Sequence, residues 1–351
     1  MRILHFLWAL DNGGAENLVV DLANAQSRDH EVTLLVANAR IDDLVRSRIA
    51  PAVRFVCLGR PQSSRNPFWL FRLLFALHSL APDVIHAHSE NLAKIGCFIF
   101  LPIILTVHAT NIKLAPAATK FSAVCCISEA VLLDVGRRYP SLKIRQVNNG
   151  VATSEIITGF RQPGVVLRGV QVSRLVHEIK GQDLLIKALA IVNALPCEPK
   201  LMIDFVGDGP SLAHLMDVAE GAGVSEFCHF IGAKSRHDIY RDLWQYDLLV
   251  QPSRYEGFGL TVAEGMAAGV PVVVSDVEGP MEIINGGEFG SFFQSGNVDE
   301  LAAALRKAMT RLGTADSEAS RRAARRHVIE KYDLFQTAAH YCQTYQEVID
   351  A

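Results

Sequence analysis

Along the chain, short runs of β-branched and apolar residues alternate with longer segments whose apolar positions recur every three or four residues. The runs Ile3–Leu10, Glu31–Ala37, Val53–Leu58, Asp83–His88, Ile103–His108, Ala123–Ile127 and Ile144–Val147 read as strands, and Glu16–Gln26, Pro67–Leu80 and Glu129–Arg138 as helices between them. That alternation predicts a parallel, doubly wound sheet. A second series starts afresh at Gly164. It places strands at Val165–Val172, Leu201–Val206, Cys228–Ile231, Leu248–Gln251 and Pro271–Val274, helices at Lys180–Asn193, Pro210–Ala222, Arg236–Gln245 and Thr261–Ala268, and a last apolar run at Met281–Ile284. Beyond Asn297 the period is helical: Asp299–Arg311, a polar break at Gly313–Ser317, a charged helix, then Asp333–Val348.

Two Rossmann-like halves follow, with residues 1–160 as the first, 161–330 as the second and 331–351 as a helix able to pack back on the first. At roughly 150 residues per domain, a chain of 351 residues fits two domains. With 50% apolar and 20% charged residues it has material for two cores, which excludes disorder. The net charge of −3 gives no whole-molecule attraction to nucleic acid. Residues 1–160 carry 16 basic and 12 acidic side chains, whereas residues 161–351 carry 18 and 25, so only the first half suits an anionic surface. The seven cysteines are scattered and show no C-x-x-C spacing, as expected of reduced thiols in a cytoplasmic protein. The opening MRILHFLWAL lacks a basic leader and a small-residue cleavage site and reads as a strand. The longest apolar run, Cys97 to Val107, is broken by Pro102 and too short to span a bilayer.

Candidate chemistry lies at strand ends. Gly13 and Gly14 stand between the first strand and the first helix, where backbone N–H groups can approach an anion or where the turn itself needs glycine. The pattern is not G-x-G-x-x-G, which disfavours a dinucleotide. Arg174 and Lys180 flank the first strand–helix junction of the second half, and two cations at a carboxyl sheet edge suit a diphosphate. In Glu256-Gly257-Phe258-Gly259-Leu260-Thr261-Val262-Ala263-Glu264, one carboxylate sits in a glycine-rich loop and another on a helix of small, apolar residues. A buried carboxylate is costly unless hydrogen-bonded. Polyhydroxylated ligand atoms would satisfy both acids, and the first amides of the helix, at Leu260 and Thr261, would meet a phosphate.

These residues resemble the retaining glycosyltransferases of family four, the "group 1" enzymes of GT-B fold that use nucleotide sugars. The resemblance runs over nearly the whole chain: Gly13-Gly14-Ala15-Glu16, Asp83-Val84-Ile85-His86-Ala87-His88, Thr106-Val107-His108, Asn149-Gly150-Val151, Ser173-Arg174-Leu175 with Lys180-Gly181, Val206-Gly207-Asp208-Gly209-Pro210, Pro252-Ser253 and, most specifically, the Glu256-x7-Glu264 pair. It implies an α/β GT-B fold of two Rossmann-like domains facing across a cleft, with a C-terminal helix crossing back to the first. By the same resemblance Glu256 reaches the donor sugar hydroxyls, Glu264 binds the ribose, and Arg174 and Lys180 neutralise the diphosphate that Gly13 and Gly14 approach. His108 faces the reacting sugar; His86 and His88 are weaker candidates. The implied enzyme is a metal-independent, retaining hexosyltransferase without cofactor, using a UDP-sugar on a saccharide or lipid-linked acceptor in cell-surface polysaccharide or lipopolysaccharide synthesis. The rival reading is a catalytically silent GT-B protein that binds nucleotide sugar or glycan as an assembly factor.

Two segments depart from the family pattern. Glu278 stands where glycine is usual, and Gly290-Ser291-Phe292-Phe293-Gln294 replaces a more aliphatic strand, which bears on sugar preference. No Asp-x-Asp is present; Asp204 and Asp208 read as turn residues, and Arg321, Arg322, Arg325 and Arg326 as a solvated helix face. Around Arg60–Ala81, the aromatics Phe68 and Trp69 with Leu70, beside Arg65 and Arg72, fit either a core-facing helix or peripheral contact with the anionic inner face of the cytoplasmic membrane.

Overall fold

The computed structural model describes residues 1–11, 13–62, 64, 66, 68–94, 99–114, 116–159, 161–194 and 199–351. It divides into two compact units, Met1–Gly150 with Leu334–Ala351 and Val151–Asp333. The first is built on strands β1 (Arg2–Leu7), β2 (Glu31–Asn38), β3 (Arg54–Arg60), β4 (Val84–Ala87), β5 (Ile103–Val107), β6 (Ala123–Cys126) and β7 (Ile144–Gln146). Helices α1 (Gly14–Gln26), α2 (Asp43–Arg46), α3 (Phe68–Leu80) and α4 (Glu129–Arg138) connect them. All pairings are parallel and the strand order is β3-β2-β1-β4-β5-β6-β7. The order reverses between β1 and β4, the point at which doubly wound sheets open a crevice above their carboxyl ends.

The second unit repeats the plan with β8 (Val166–Val172), α5 (His177–Lys180), α6 (Gln182–Asn193), β9 (Lys200–Val206), α7 (Leu212–Gly221), β10 (Cys228–Gly232), α8 (Arg236–Asp242), β11 (Leu248–Gln251), α9 (Leu260–Ala267), β12 (Val272–Ser275), α10 (Glu278–Ile283), β13 (Ser291–Phe293), α11 (Val298–Arg311) and α12 (Ala315–Tyr332). Its parallel order, β10-β9-β8-β11-β12-β13, reverses between β8 and β11. Leu185, Leu189, Ile203, Phe205, Leu248, Val250, Leu301 and Leu305 are among the residues fully withdrawn from water in its core. The chain closes in α13 (Leu334–Ile349), which belongs to the first unit and packs on α1.

Several sequence expectations move. The unit boundary falls at Gly150/Val151, ten residues before the first half's expected end at residue 160. Residues 151–159 are tied into the second unit by the Val151 N–H to Tyr332 carbonyl bond (2.8 Å), by the Ile157 N–H to the Tyr240 carbonyl (3.1 Å) and by Gly159, which leaves no room for a Cβ beside Trp244. The helix expected over Lys180–Asn193 starts at Gln182, and Lys180 instead closes the short α5, because Gly181 turns left-handed (φ 67°) where a Cβ would strike the Pro252 carbonyl. Asp204 is no turn residue; it lies inside β9, held by Arg168 (3.0 Å) and the Tyr246 hydroxyl (2.9 Å). The arginine run is only half solvated: Arg321 and Arg325 donate to the carbonyls of Gly269 and Ala267 at the end of α9, while Arg322 and Arg326 are exposed. The described cysteines carry free thiols; burial pushes those of Cys125, Cys126 and Cys228 up to about 12, and Cys97 and Cys197 lie outside the described residues. No helix among the described residues is long and apolar enough to cross a membrane.

Candidate functional site

In the second unit the expected residues gather at the carboxyl edge, near the switch between β8 and β11. Glu256 is largely covered, and its Oε2 accepts three hydrogen bonds: from Lys180 Nζ at 2.7 Å, Gln251 Nε2 at 3.2 Å and Ser253 Oγ at 3.3 Å. Its Oε1 has no partner among the described residues. Lys180 therefore holds Glu256 as well as presenting a cation. The turn carrying Lys180 is itself clamped, because Arg254 donates both guanidinium arms to Asp183 (2.8 and 2.9 Å) and a third bond to the His177 carbonyl (2.6 Å). Burial acts to raise the Asp183 carboxyl, but the Arg254 guanidinium outweighs it and the group ends below its usual range.

Gly257, Phe258 and Gly259 lead from this pair into α9. Phe258 is buried edge-on against Tyr332, and Gly279 approaches the loop so closely that a Cβ would strike backbone atoms of Glu256 and Phe258. Gly259 caps the helix in the left-handed region (φ 101°), a conformation open to glycine. The amides of Leu260 and Thr261 form no hydrogen bond among the described residues and point out of the helix start. Glu264 is buried, and its Oε1 accepts from Arg236 Nη2 (2.9 Å) and the Tyr240 hydroxyl (3.2 Å). Arg174 is exposed, and its side chain has no partner among the described residues. Glu278 is exposed at the start of α10.

Sequence reading missed the polar floor beneath these groups. Gln171, Gln182 and Gln251 are almost wholly buried, donate through their amide nitrogens to Ser173, Arg174, Ser253 or Glu256, and leave their amide oxygens without a partner among the described residues. Glutamines at strand and helix ends carry no spacing signal. Arg236 was likewise invisible, since its link to Glu264 spans 28 residues.

In the first unit, Gly13 caps α1 in extended backbone (φ −124°) and Gly14 opens the helix, so neither needs a left-handed conformation. Glu16 folds back over Gly13, and burial raises its carboxyl above the usual range. Asn12 of this turn lies outside the described residues. His108, just past β5, is joined by His86 and His88 and by His5, a residue sequence reading passed over. His5 and His86 are register partners on β1 and β4. His108 Nε2 lies 3.3 Å from His88 Nδ1, His88 Nε2 3.1 Å from His5 Nδ1, and His5 Nε2 2.8 Å from Gln26 Oε1. His86 bonds the Tyr345 hydroxyl and Thr106 Oγ1, both at 2.7 Å. Burial lowers the imidazoles of His5 and His108 to about 4 and holds those of His86 and His88 well below the ordinary histidine range. His5, His86 and His88 stand close enough together to share a metal ion, but every one of their ring nitrogens is engaged in a protein hydrogen bond that an ion would have to replace.

The aromatic cluster on α3 differs from the expected one. Trp69 is half-buried, edge-on to Trp8, with the Arg60 guanidinium over both rings. The exposed face carries Phe68, Phe71, Arg72 and Phe75, the phenylalanines 63%, 67% and 73% accessible, while Leu73 and Leu77 face the core. Arg65 lies outside the described residues.

The chain matches two family profiles, "glycosyl transferases group 1" over residues 168–326 and "glycosyltransferase family 4" over residues 12–155. It is 35% identical over 169 residues to the lipopolysaccharide core biosynthesis mannosyltransferase LpsB of Rhizobium meliloti, covering 45% of this chain and 46% of that protein, so the match spans less than half of that relative. A glycogen synthase of Mycobacterium tuberculosis is 27% identical over 292 residues, 76% of this chain and 69% of that one. Among solved structures, a glycosyltransferase of Rickettsia africae superimposes with a TM-score of 0.82 at 18% identity, covering 99% of this chain and 98% of that one. The Anabaena protein HepE, solved with UDP and glucose, gives 0.81 at 22% identity over 99% of both chains. At these identities the structural matches establish the fold, two α/β domains of GT-B type.

Proposed function

Because the two profiles divide most of the chain between them and it thus belongs to the group 1 glycosyltransferases of GT-B fold, we propose that it moves a sugar, with retention, from a nucleotide diphosphate to a saccharide or lipid-linked acceptor. The observation that carries this reading is the state of Glu256: three donors hold one carboxylate oxygen and leave the other without a protein partner. A carboxylate so fixed is pre-positioned to accept from sugar hydroxyls. Glu264, oriented by Arg236 and Tyr240, accepts from the ribose. Arg174, Lys180 and the amides of Leu260 and Thr261 meet the diphosphate, and Gly13 and Gly14 approach it. As the sugar–phosphate bond breaks, negative charge grows on the leaving group, and these donors stabilise it more than they stabilise the ground state. Cations of the chain thus supply the charge stabilisation, and transfer should survive chelation of divalent metals. His108 accompanies the sugar.

A relative named for lipopolysaccharide core biosynthesis supports a cell-surface glycan, and a structural neighbour solved with UDP supports a UDP-sugar. We place the protein at the anionic inner face of the cytoplasmic membrane through Phe68, Phe71, Phe75 and Arg72, in place of the Phe68–Leu70 cluster that sequence suggested. The test is incubation of the full chain with UDP-, GDP- and ADP-sugars, reading nucleotide release and the anomeric configuration of the product. Turnover of one donor with retention is expected. Tight nucleotide binding without turnover of any would instead establish the silent assembly factor.

A further inference from the structure

The hydrogen-bonded row in the first unit has a direction. Gln26 Oε1 is a carbonyl oxygen and only accepts, so His5 must carry its proton on Nε2. A neutral imidazole holds one proton, which leaves His5 Nδ1 bare and obliges His88 to donate to it from Nε2. His88 Nδ1 is then bare in turn, and His108 donates to it from Nε2. The row ends at His108 Nδ1, an unprotonated nitrogen shielded from solvent that has no partner among the described residues. Burial, which holds all three rings far below the ordinary histidine range, keeps each singly protonated and so keeps the row intact at neutral pH.

A second branch, whose hydroxyls can donate or accept, is compatible with this setting of the amide. Gln26 Nε2 donates to the Tyr345 hydroxyl at 3.2 Å, and that hydroxyl, 2.7 Å from His86 Nδ1, passes its own proton there. His86 Nε2 then donates to Thr106 Oγ1, which lies 2.9 Å from the Tyr341 hydroxyl. Tyr341 and Tyr345 are fully buried on α13, so the amide on α1 has its second partner on that helix.

We propose that Gln26, His5 and His88 are positioning residues that fix the tautomer of His108, so that His108 presents its Nδ1 lone pair as a hydrogen-bond acceptor to a hydroxyl of the donor sugar. The ligand group thereby specified is a hydroxyl, or another donor, and not a phosphate or carbonyl oxygen, which a bare nitrogen would repel. The sugar half of the proposal rests on the glycosyl-transfer reading; the relay half does not.

Long-range proton–nitrogen correlation spectra of the full chain labelled with ¹⁵N-histidine, at neutral pH and without ligand, test it directly, with His108 assigned by its loss in His108→Gln. His5, His88 and His108 should all be protonated on Nε2 and bare on Nδ1. Gln26→Leu removes the acceptor at the head of the row, so protonated Nδ1 should appear on His108. With UDP-glucose, or whichever donor proves active, kcat should fall roughly tenfold with KM moving much less, the loss expected for one hydrogen bond made where the sugar reacts. A proton on His108 Nδ1 in the unaltered protein overturns the relay, even if Gln26→Leu does not fold, and leaves glycosyl transfer standing. The expected tautomers combined with undiminished turnover of His108→Gln overturn the sugar contact alone.

Discussion

The two units present the same sheet topology and opposite electrostatics at the same place. Above the β1–β4 switch the first unit gathers His5, His86 and His88, with His108 at the next strand end, all neutral and linked only by dipolar hydrogen bonds. Near the β8–β11 switch the second unit gathers Lys180, Glu256, Arg254 and Asp183, all in ion pairs. Burial explains the difference. Where water is excluded, a lone charge costs several kcal/mol and titratable groups give it up. At a half-open edge, charges persist in pairs, and an anionic ligand can compete for one member.

Acid should separate the units, and this is the largest effect expected. Burial lowers His5 to about 4, against about 6.5 for an exposed imidazole. Between those pH values the unfolded chain binds a proton the folded one refuses, so stability falls as pH drops below 6.5, by about 3 kcal/mol for this one residue. His86, His88 and His108 add to it with the same sign. In the second unit Asp183 is held below its usual value, so its contribution persists until pH falls under about 4; His327, lowered by partial burial, is the shifted histidine there. Amide exchange followed from pH 7 to 4.5 should show β1, β4 and β5 losing protection before β8 and β11. Simultaneous loss would break the contrast.

Glu256 comes next. Glu256→Gln keeps the shape but replaces an acceptor fixed by Lys180, and kcat should fall on the order of a hundredfold or more while nucleotide affinity holds. Lys180→Ala should also impair turnover more than binding. Since Lys180 touches both Glu256 and, on our reading, the diphosphate, the double variant should cost less than the two losses combined. Strict additivity in a double-mutant cycle would mean that the 2.7 Å pair is not a working unit.

Much of this second-unit site was legible because its parts are close in sequence. Glu256 and Glu264 are eight residues apart on one loop and helix, and Arg174 and Lys180 share one strand–helix junction, so the strand–helix pattern placed each pair and the family resemblance joined the two pairs in one site. The relay was not legible. Gln26 and Tyr345 meet across 319 residues, and His5 reads as an ordinary position in an apolar strand. Strand order, which no local pattern encodes, makes β1 and β4 neighbours. The same reason misjudged the arginine run, whose contacts with α9 are made across more than fifty residues, and left Trp69 open between core and lipid, since its partner Trp8, just past β1, is distant in sequence.

A smaller effect separates the two glutamates. Glu264 is bonded to Arg236 and Tyr240 without a ligand, so Glu264→Gln should weaken nucleotide binding by ~1–3 kcal/mol, the value of a hydrogen bond to a charged group, with little change in kcat. Arg236→Ala should produce part of the same loss by freeing the carboxylate, read as nucleotide Kd by calorimetry. Equal effects of Glu256 and Glu264 variants on nucleotide Kd would refute the division of roles.

The smallest effect concerns α3, where the first unit departs from its own rule of burying apolar surface. Phe68, Phe71 and Phe75 recur at helical spacing on the side opposite Leu73 and Leu77, with Arg72 among them. Each phenylalanine that moves half its surface from water into the headgroup region gains about 1 kcal/mol. Arg72 adds about 1 kcal/mol on an anionic leaflet, and salt screens it. Such sums give reversible binding, so the full chain should co-sediment with phosphatidylserine-containing vesicles at low salt and not with neutral ones. Phe71→Ser with Phe75→Ser should reduce binding several-fold at any salt, whereas Arg72→Ala should chiefly flatten the salt dependence. Trp69→Ala tests something else: it removes the packing against Trp8 and the seat of Arg60, so it should lower the thermal midpoint of the first unit more than it lowers vesicle binding. If vesicles of either charge are ignored while the Trp69 variant still unfolds early, α3 is purely structural and the acceptor is a soluble saccharide.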